Sequence, residues 1–430
     1  MMHLYLFDDN EAQSWKPFTL TRPAGELTLG ILSMRERAEA LWGEKCLGHI
    51  TCPSLRHFDE LDAPPVLGLD DIHSGKPVIL FSSRAILDPS EHTDGTVEEI
   101  FSHTDRYNQP QTLVIRDQIV GWVLPKGFSG YEDINIFDSY AWGSKSDFPK
   151  FPLSGTVLED MWDLVVVNGE QINKDVNRVP LDHARCSITV GVPHGVTYEG
   201  NNPIIIESGA VIAPNTHLDS RSGSILISTG AYISPFTHII GPAFVGARTR
   251  LLGGSMSCFT AGPECKLRGE ISNSVILSHT NKSHDGYLGH SYVGRWVNFG
   301  ALTCNSDLKN NYGEIKIFRH HGNYYTEHPT GQQKLGIFVG DHVKTGIGSL
   351  FPGGCTIGCG TNFFGGGMAP HDIPPFSWGT ANDLEPYDLS AFLQMVRKVM
   401  ARRDVELTSK AEKLLLEAWE NTRPHPDTSR

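Results

Sequence analysis

Several features that would place this 430-residue chain in a common protein class are missing from its sequence. No apolar run reaches the roughly 18 residues of a membrane span, so we expect no membrane partner. The 36 Lys and Arg are outnumbered by 49 Asp and Glu, giving a net charge of −13. Because phosphate contacts need a basic footprint, we expect no nucleic-acid partner either. The short apolar stretch before Asp8 and Asp9 predicts a first strand and not a signal peptide.

Cysteine pairing of the kind that binds zinc or forms a redox pair is also missing. The eight cysteines are scattered and contain no Cys-x-x-Cys motif. In a long acidic chain this pattern predicts reduced thiols and a cytoplasmic protein. His320, His321 and His328 have no regular ligand spacing, so we read them as a solvated loop and predict no metal site.

Glycine is in slight excess, and its distribution is uneven. The 44 Gly and 26 Pro are too few for collagen or low-complexity disorder. The glycines concentrate after residue 190, where apolar residues recur in steps of six. The first run consists of Ile227, Ile233, Ile239, Val245 and Leu251. The second run consists of Val339, Thr345, Phe351, Ile357 and Phe363.

A period of six fits neither a strand nor a helix, but it is typical of the hexapeptide repeat of a parallel β-helix. Each unit is a short strand and a turn, and three units make one triangular coil. The apolar residue points inward, and Gly relieves the backbone at the turn. The alternative is a Gly-rich β-sandwich with chance spacing. The repeat resembles the left-handed β-helix acyltransferases, which implies a homotrimer with active sites between subunits. We expect two interruptions, at residues 273–290 and 305–336.

The remaining sequence predicts an α/β domain and a helical tail. Leu4–Phe7, Val78–Phe81, Leu113–Ile115 and Gly121–Leu124 have the composition of strands. Helical spacing is found at Leu27, Ile31, Met34, Ala38 and Leu41, and again around 156–172. Past Pro386, a stripe from Leu389 to Val399 and a capping-box spacing from Ser409 to Glu412 predict two helices that cap the last coil. The predicted domains are 1–175 (α/β), 185–380 (β-helix) and 381–430 (helical tail).

The densest polar segment runs from Asn281 to Gly289 and continues from Gly294 to Asn305. Its order, His-x-x-Tyr-Leu-Gly, then Val-Asn-x-Gly-Ala and Thr-Cys-Asn, resembles the acetyltransferase half of a bifunctional family. That family is the glucosamine-1-phosphate acetyltransferase / N-acetylglucosamine-1-phosphate uridylyltransferase group, together with related bacterial sugar nucleotidyltransferase-like proteins. The resemblance is strong over 190–380 and weak over 1–175.

The resemblance implies a role for each matching residue. His284 matches the general base, since an imidazole of pKa near 6.5 can accept the proton of an attacking ammonium group. Asn305 matches a residue that orients the base or the substrate, and Tyr287 and Asn298 match contacts to a sugar phosphate. Ala301 matches a position that lines the acetyl-CoA site. From their charge, we predict that Lys282 and Lys309 bind the acceptor and that Lys344 binds the coenzyme.

The phosphate-binding loop of the nucleotidyltransferase half is the weakest part of the resemblance. After the first strand the family carries a Gly-rich loop that cradles nucleotide phosphates. Here Asp8, Asp9 and Glu11 replace it, and they would repel a triphosphate unless Mg²⁺ intervened. Arg22 and Arg84 are the cationic candidates for nucleotide binding. The domain is therefore predicted to keep the fold, with Mg²⁺ needed only if it is active.

Three functions are consistent with these observations. The first is acetyl-CoA-dependent acyl transfer to an amino-sugar phosphate or nucleotide sugar, with His284 as base. The second is a sugar-1-phosphate nucleotidyltransferase that uses the N-terminal domain. The third is a non-catalytic scaffold that binds a sugar nucleotide. Two departures bear on the choice: Ile347 stands where the family has a coenzyme-contacting serine, and the insert 305–336 is longer than in that family.

Overall fold

The chain divides into two compact units in a computed structural model. The first unit is Met1–Leu27, Leu32–Met161 and Thr408–Ala418, and the second is Thr28–Ile31, Trp162–Leu407 and Trp419–Arg430. The structure describes residues 2–88, 109–131, 134–137, 148–178, 185–187, 193–321 and 324–422. Among these residues, no helix has both the length and the apolar character needed to cross a membrane.

The first unit is built on a seven-stranded mixed sheet. In spatial order its strands are Lys150–Leu153, Gln111–Ile115, Gln118–Leu124, Val78–Ser82, His3–Phe7, Cys46–Ile50 and Val66–Leu67. The strand His3–Phe7 is parallel to both of its neighbours, so the carboxyl ends of three adjacent strands meet at one edge of the sheet. Residues 4–7 are fully buried, which confirms the predicted first strand and the α/β class of this unit.

The other elements of the first unit are short. They are the helices Asn10–Gln13 and Met34–Trp42, the 3-10 turns Phe18–Leu20, Ala24–Glu26, Pro53–Leu55 and Leu69–Asp71, and the strands Leu32–Ser33, Ala85–Leu87 and Gly155–Val157.

The helix expected from Leu27 onward is shorter than its spacing predicts. It runs over Met34–Trp42 only, because Ser33 and Glu36 form a capping box that fixes its first turn. The expectation was therefore wrong for Leu27 and Ile31, which precede the helix. Apolar spacing of three and four residues does not reveal where a cap begins a helix.

The second unit is a left-handed parallel β-helix whose short strands stack into three faces. Face A contains Val211–Ile212, Tyr232–Ile233, Asn281–Lys282, Lys344–Thr345, Asn362–Phe363, Ser377–Thr380 and Asp383–Pro386. Face B contains Thr197–Glu199, His217–Asp219, Tyr287–Gly289, Cys304–Asn305, Ser349–Phe351 and Gly367–Met368. Face C contains Arg185–Ser187, Ile204–Glu207, Ile225–Ile227, Tyr292–Val293, Phe338–Val339, Thr356–Ile357 and Asp372–Ile373. Three longer strands bend from one face to the next: Thr237–Val245, Arg250–Ala261 and Lys266–Ile276.

The apolar residues of the six-residue period form the core of this β-helix. Ile227 pairs with Val245, one coil of 18 residues further on, and both are fully buried. The remaining residues of both runs are also buried, which confirms the hexapeptide prediction. Burying one such Val, Leu or Ile side chain contributes about 1.5–3 kcal/mol, so the stacked columns stabilise every coil.

The two expected interruptions differ in kind. Residues 273–290 stay in the β-helix, so that expectation was wrong: Leu267 pairs with Lys282 fifteen residues later, and the coil is shortened but not broken. The insert 305–336 does leave the coil. It carries an antiparallel pair of strands, Lys316–His321 and Tyr324–Pro329.

Helices pack on the outside of the β-helix at both ends of its sequence. Asp163–Val166 and Asn168–Val176 replace the single helix expected at 156–172. Ile172 and Val176 pack against Ile205 and Leu226 of face C.

The helical tail consists of Leu389–Ala401 and Ser409–Asn421. Phe392 of the first helix packs against Phe376 and Tyr387, at the end of the β-helix. The second helix is capped by the hydroxyl of Thr408, which accepts from the Ala411 amide, so its cap lies one residue before the Ser409 expected from the sequence. Its Leu414 packs with Leu55 and Phe58 within the first unit, so the expectation that this helix caps the last coil was wrong.

Candidate functional site

A compact polar cluster lies on face B, at the turn that leads to face C. One oxygen of the Asp307 carboxylate accepts from the Tyr287 hydroxyl at 2.6 Å and lies 2.7 Å from Nδ1 of His290. The Tyr287 hydroxyl is also 3.1 Å from the hydroxyl of Ser272, its neighbour on the preceding coil. We call Ser272, Tyr287, His290 and Asp307 the face-B cluster.

The backbone around this cluster is held on both sides. Asn305 is buried, and its side-chain amide exchanges two hydrogen bonds with Gly289, accepting from its N–H and donating to its carbonyl. His290 donates its own N–H to the Ser272 carbonyl and accepts from the amide of Gly336. Asn305 therefore fixes the residue that precedes His290, and the imidazole rises from a rigid turn.

Gly289 is required by the ring of Tyr287. A Cβ atom at position 289 would lie 2.1 Å from the phenol oxygen and 2.4 Å from Cζ, so the Tyr287 ring would have to move to admit any other residue there. Packing thus explains the Tyr-Leu-Gly order of the sequence: the ring of Tyr287 lies directly over Gly289, and its hydroxyl donates to Asp307.

The electrostatics keep the carboxylate charged. Burial opposes ionisation of Asp307, but the hydrogen bonds from His290 and Tyr287 outweigh it and lower its pKa. Burial, together with the bond to Asp307, raises the pKa of Tyr287 well above its ordinary range, so the phenol remains a donor. An anionic Asp307 therefore faces a neutral phenol and an imidazole.

His284 lies apart from this carboxylate, in the turn between faces A and B. Its ring is exposed, and its carbonyl accepts from Lys282. The neighbouring Asp285 pairs with Arg268 at 3.0 Å. Ala301 belongs to the same corner, where the next residue, Leu302, donates its N–H to the Asp285 carbonyl.

The lysine predicted to bind the acceptor beside His284 points into the β-helix. Lys282 is 3 % exposed and occupies the inward position that Leu267 holds one coil earlier. Its ammonium donates to the carbonyls of Arg268, His284 and Gly286, which uses all three of its donors. Burial lowers its pKa to about 8. This geometry leaves no donor for a phosphate.

The other predicted binding residues are separated from the face-B cluster. Asn298 and Lys344 stack on face A, where Asn298 accepts from the Asn281 amide at 2.7 Å. Lys344 donates to the Trp296 carbonyl, and burial lowers its pKa to about 7. Lys309 lies in the insert and donates to the Glu314 carbonyl. Of the sequence-predicted site, the structure brings together Tyr287 and Asn305 on face B, and His284 and Ala301 at one corner.

In the first unit the predicted nucleotide-binding arginines are both paired. Arg84 is buried, donates to both oxygens of Asp9, and also donates to the Leu158 carbonyl. Arg22 is buried and lies 3.0 Å from Glu60. Both cations are compensated inside the fold, so neither geometry favours a phosphate contact.

The acidic residues after the first strand do not fit a magnesium site. Asp8 accepts from the Ser83 hydroxyl with one oxygen and from the Ala24 amide with the other, and burial raises its pKa. Asp9 caps the helix Asn10–Gln13. Throughout the described part of the chain, no three His, Cys, Asp or Glu side chains gather as a metal site.

Sequence reasoning missed His290, Asp307 and Ser272. His290 directly follows the Tyr-Leu-Gly motif, and Asp307 follows the Thr-Cys-Asn motif by two residues. A signal was therefore present as two polar residues just past two recognised motifs. Their convergence depends on the stacking of consecutive coils, which the local sequence does not display.

Comparison with known proteins supports the two-part character of the chain. Residues 4–183 match the family model of sugar nucleotidyl transferases. A bifunctional sugar-1-phosphate nucleotidylyltransferase/acetyltransferase of Sulfurisphaera tokodaii is 33 % identical over 104 residues, 24 % of this chain and 25 % of that protein. The bifunctional protein GlmU of Methanococcus maripaludis is 34 % identical over 197 residues, 46 % of this chain and 40 % of that protein. GlmU of Synechococcus elongatus is 26 % identical over 224 residues, 52 % of this chain and 40 % of that protein.

The chain thus spans a quarter to two fifths of the length of these relatives. Its α/β unit is similar to sugar nucleotidyl transferases, and a left-handed β-helix follows that unit in the sequence.

Proposed function

We propose that this GlmU-like chain is a transferase whose β-helix moves an acetyl group from acetyl-CoA to the amino group of a sugar phosphate or nucleotide sugar. His284 serves as general base, the role that the resemblance gives it. The relatives named above include a sugar-1-phosphate nucleotidylyltransferase/acetyltransferase, which supports the same pair of chemistries here. The observation that carries the proposal is the exposed His284 in the turn before the strand Tyr287–Gly289, because acyl transfer to an ammonium group needs an accessible proton acceptor.

The chemistry requires little more than positioning and a base. The acceptor arrives as an ammonium ion and must lose a proton before its nitrogen can attack the thioester carbonyl. His284 is exposed at the corner that also carries Ala301, so its ring is open to a bound acceptor. The nearby exposed apolar side chains of Leu302 and Ile347 suit the acyl and pantetheine portion of the donor.

A homotrimer is part of this proposal. Leu350 and Met368 are neighbours in the outward column of face B and are 39 % and 58 % exposed. Ile347, just before Leu350, is 76 % exposed. A row of apolar side chains along one edge of a rigid β-helix suits contact with further copies of the chain.

The test is to incubate the full-length protein with acetyl-CoA and glucosamine-1-phosphate and to follow the release of free thiol. Thiol release that depends on the amino sugar supports the proposal. Related amino-sugar phosphates and amino nucleotide sugars are tested in parallel, and absence of thiol release with all of them would exclude it. His284→Ala tests the role that the resemblance gives to that residue.

A second candidate function is sugar-1-phosphate nucleotidyl transfer by the first unit. The match of residues 4–183 to the sugar nucleotidyl transferase model favours it. The pairing of Arg84 with Asp9 and of Arg22 with Glu60 weighs against it, because both cations are compensated. Pyrophosphate release from a nucleoside triphosphate and a sugar 1-phosphate would establish it. Calorimetric binding of a sugar nucleotide without turnover would instead indicate a scaffold.

A further inference from the structure

We propose that Lys282 is a positioning residue for His284, and that its buried ammonium group holds the turn that carries His284 from inside the β-helix. This inference rests on the acyl transfer proposed above and adds one residue to its machinery. In this role Lys282 touches neither the acceptor nor the coenzyme, because it acts through the backbone of the turn.

An ammonium group is an unusual occupant of the inward column in which Lys282 lies. Lys282 is the last residue before the turn 283–286, which leads from face A to face B. The corresponding inward positions of the two preceding coils are held by Leu251 and Leu267. A leucine would fill the same space without an electrostatic cost, whereas a buried charge costs free energy unless its donors are satisfied. The bonds that this charge makes therefore indicate its role.

The ammonium group joins the turn to the coil before it. Its Nζ donates to the Arg268 carbonyl at 2.9 Å, at the corresponding corner of the preceding coil. It also donates to the carbonyls of Gly286 at 2.8 Å and of His284 at 3.2 Å, one on each side of Asp285. Within the described residues no other group donates to the His284 carbonyl, so this bond depends on Lys282 alone.

The next coil holds the turn on its other side. The Leu302 amide donates to the Asp285 carbonyl at 2.9 Å. A Cβ atom at Gly286 would lie 2.3 Å from the Thr303 carbonyl oxygen, so the two backbones are in close contact at this point. The turn is therefore fixed between the ammonium group of Lys282 and the backbone of the next coil.

The imidazole of His284 has no comparable support of its own. Its ring is exposed, and in the described part of the chain no hydrogen bond joins the ring to another residue. The carboxylate of the neighbouring Asp285 is paired with Arg268. The place of the ring thus depends on the turn, and a base held close to its productive position needs little further ordering to reach the transition state.

Protonation controls how many bonds Lys282 can donate. Burial lowers the pKa of Lys282 to about 8, against the fields of Cys304 on the next coil and Asp285 in the turn, which raise it. The cation of Arg268 lies on the outer side of Asp285. Below this pH the ammonium group has three N–H donors, and above it the neutral amine has two. The turn should therefore loosen as the pH rises through about 8.

The kinetic test compares Lys282→Leu with Lys266→Leu in the full-length protein. Leucine is the residue that holds the equivalent inward position at 267, so Lys282→Leu is expected to retain the fold. We expect kcat at pH 7 to fall at least about 10-fold in Lys282→Leu, with KM for acetyl-CoA unchanged. Lys266 lies one coil earlier in the outward column of face A, so Lys266→Leu removes an ammonium group from the same face and should leave kcat unchanged.

The pH profile distinguishes positioning from a loss of folded protein. With both substrates saturating, kcat of the native protein should decline as the pH rises through about 8, because Lys282 then loses its proton. Lys282→Leu has no group to lose that proton, so its lower rate should lack this decline. A smaller folded fraction would lower the rate and leave the shape of the profile unchanged, and a native-shaped profile in Lys282→Leu would overturn the inference.

Hydrogen exchange tests the turn without turnover. The amides of Leu302 and Glu270 both donate to carbonyls of the turn, so peptides that contain them report its opening in mass spectrometry. At pH 7 we expect these amides to exchange at least about 10-fold faster in Lys282→Leu than in the native protein, and at the native rate in Lys266→Leu. Native exchange rates in Lys282→Leu would overturn the inference.

The native protein gives a further measurement that needs no variant. After correction for the intrinsic rate of exchange, the protection of the Leu302 and Glu270 amides should decrease between pH 7 and pH 9, on either side of the pKa of about 8. Protection that stays constant over this range would contradict the role of the ammonium group, even if Lys282→Leu failed to fold.

The outcomes separate the inference from the function on which it rests. Absence of thiol release from the native protein with every amino sugar would exclude the proposed function, while hydrogen exchange would still decide whether Lys282 holds the turn. Thiol release at the native rate in folded Lys282→Leu would leave the function standing and refute the positioning role.

Discussion

Arg84 and Asp9 form a buried, bidentate ion pair beyond the carboxyl ends of the parallel strands in the first unit's sheet. The guanidinium Nε lies 2.9 and 3.1 Å from the two carboxylate oxygens, and both side chains are almost fully enclosed. The pair connects the second residue after strand Val78–Ser82 to the second residue after strand His3–Phe7. It shows why a cation at a strand end need not be a phosphate ligand.

Loss of this arginine is expected to be costly. Arg84→Ala leaves the Asp9 carboxylate buried without its partner, so we expect the free energy of unfolding to fall by about 3–5 kcal/mol. Urea unfolding followed by circular dichroism measures it. Arg56→Ala is the matched control, because Arg56 is 63 % exposed and pairs with Glu417 at 2.9 Å. An exposed pair contributes about 1 kcal/mol or less, and equal losses in the two variants would contradict the assignment.

His279 is expected to make the β-helix sensitive to acid. Its ring stacks on Trp296 at 4.1 Å between centroids, and burial, followed by the fields of Arg295, Arg403 and Arg248, lowers its pKa to about 3. The imidazole of His279 is therefore protonated near pH 6.5 in the unfolded chain, but only near pH 3 in the folded chain. The stability contributed by the neutral ring is complete above pH 6.5 and declines as the pH falls through this window.

The measurement is the difference in unfolding free energy between the native protein and His279→Phe. Phenylalanine retains a ring for the Trp296 stack and carries no titrating group. Between pH 7 and pH 5 we expect the variant to gain about 2 kcal/mol relative to the native protein. A difference that does not change with pH would contradict the expected titration of His279.

Gly289 and Tyr287 are expected to be energetically coupled. Gly289→Ala places a methyl group on the phenol oxygen of Tyr287, so we expect a loss of about 1–3 kcal/mol through overpacking. In a Tyr287→Ala background the same methyl has room, and the cost should shrink by at least about 1 kcal/mol. A double-mutant cycle by denaturant unfolding measures the coupling. Additive effects would show that the ring does not cross Gly289 in solution.

Ile347 is expected to affect assembly more than folding. Ile347→Asp changes a side chain that is 76 % exposed, so the unfolding free energy of a single chain should change by no more than about 0.5 kcal/mol. If this edge lies between copies, the charge should dissociate the proposed trimer, as measured by sedimentation velocity. Leu61→Asp, at a position 91 % exposed in the first unit, is the control. A native protein that sediments as a monomer would refute the trimer.

Much of the fold was predictable because its signals are local. The inward columns of the β-helix follow from a period of six, since each strand and turn repeats the same geometry. The continuous apolar runs Leu4–Phe7 and Val78–Phe81 predict two buried strands. The start of the helix at Met34 was not predictable from apolar spacing. The coil of 15 residues that contains Lys282 was also missed, because a shortened coil disturbs the period while the backbone continues.

The candidate site was predictable only in part. The motifs placed the candidate site within 281–305, and Tyr287 and Asn305 do lie together on face B. The binding roles of Lys282, Lys344, Arg22 and Arg84 were predicted from their charge alone. In the fold, backbone carbonyls and carboxylates already accept hydrogen bonds from these side chains, and no local sequence pattern indicates those partners.

The sequence by itself determined the repeat, the α/β unit before it and the segment richest in polar motif residues, because each depends on the order and spacing of residues along the chain. Only the tertiary structure decided which charged groups are paired inside and which face outward. It also decided that His290 and Asp307, 17 residues apart, meet at 2.7 Å. One coil of this β-helix is about that long, so residues a full coil apart become neighbours, and that distance along the chain carries no local signal.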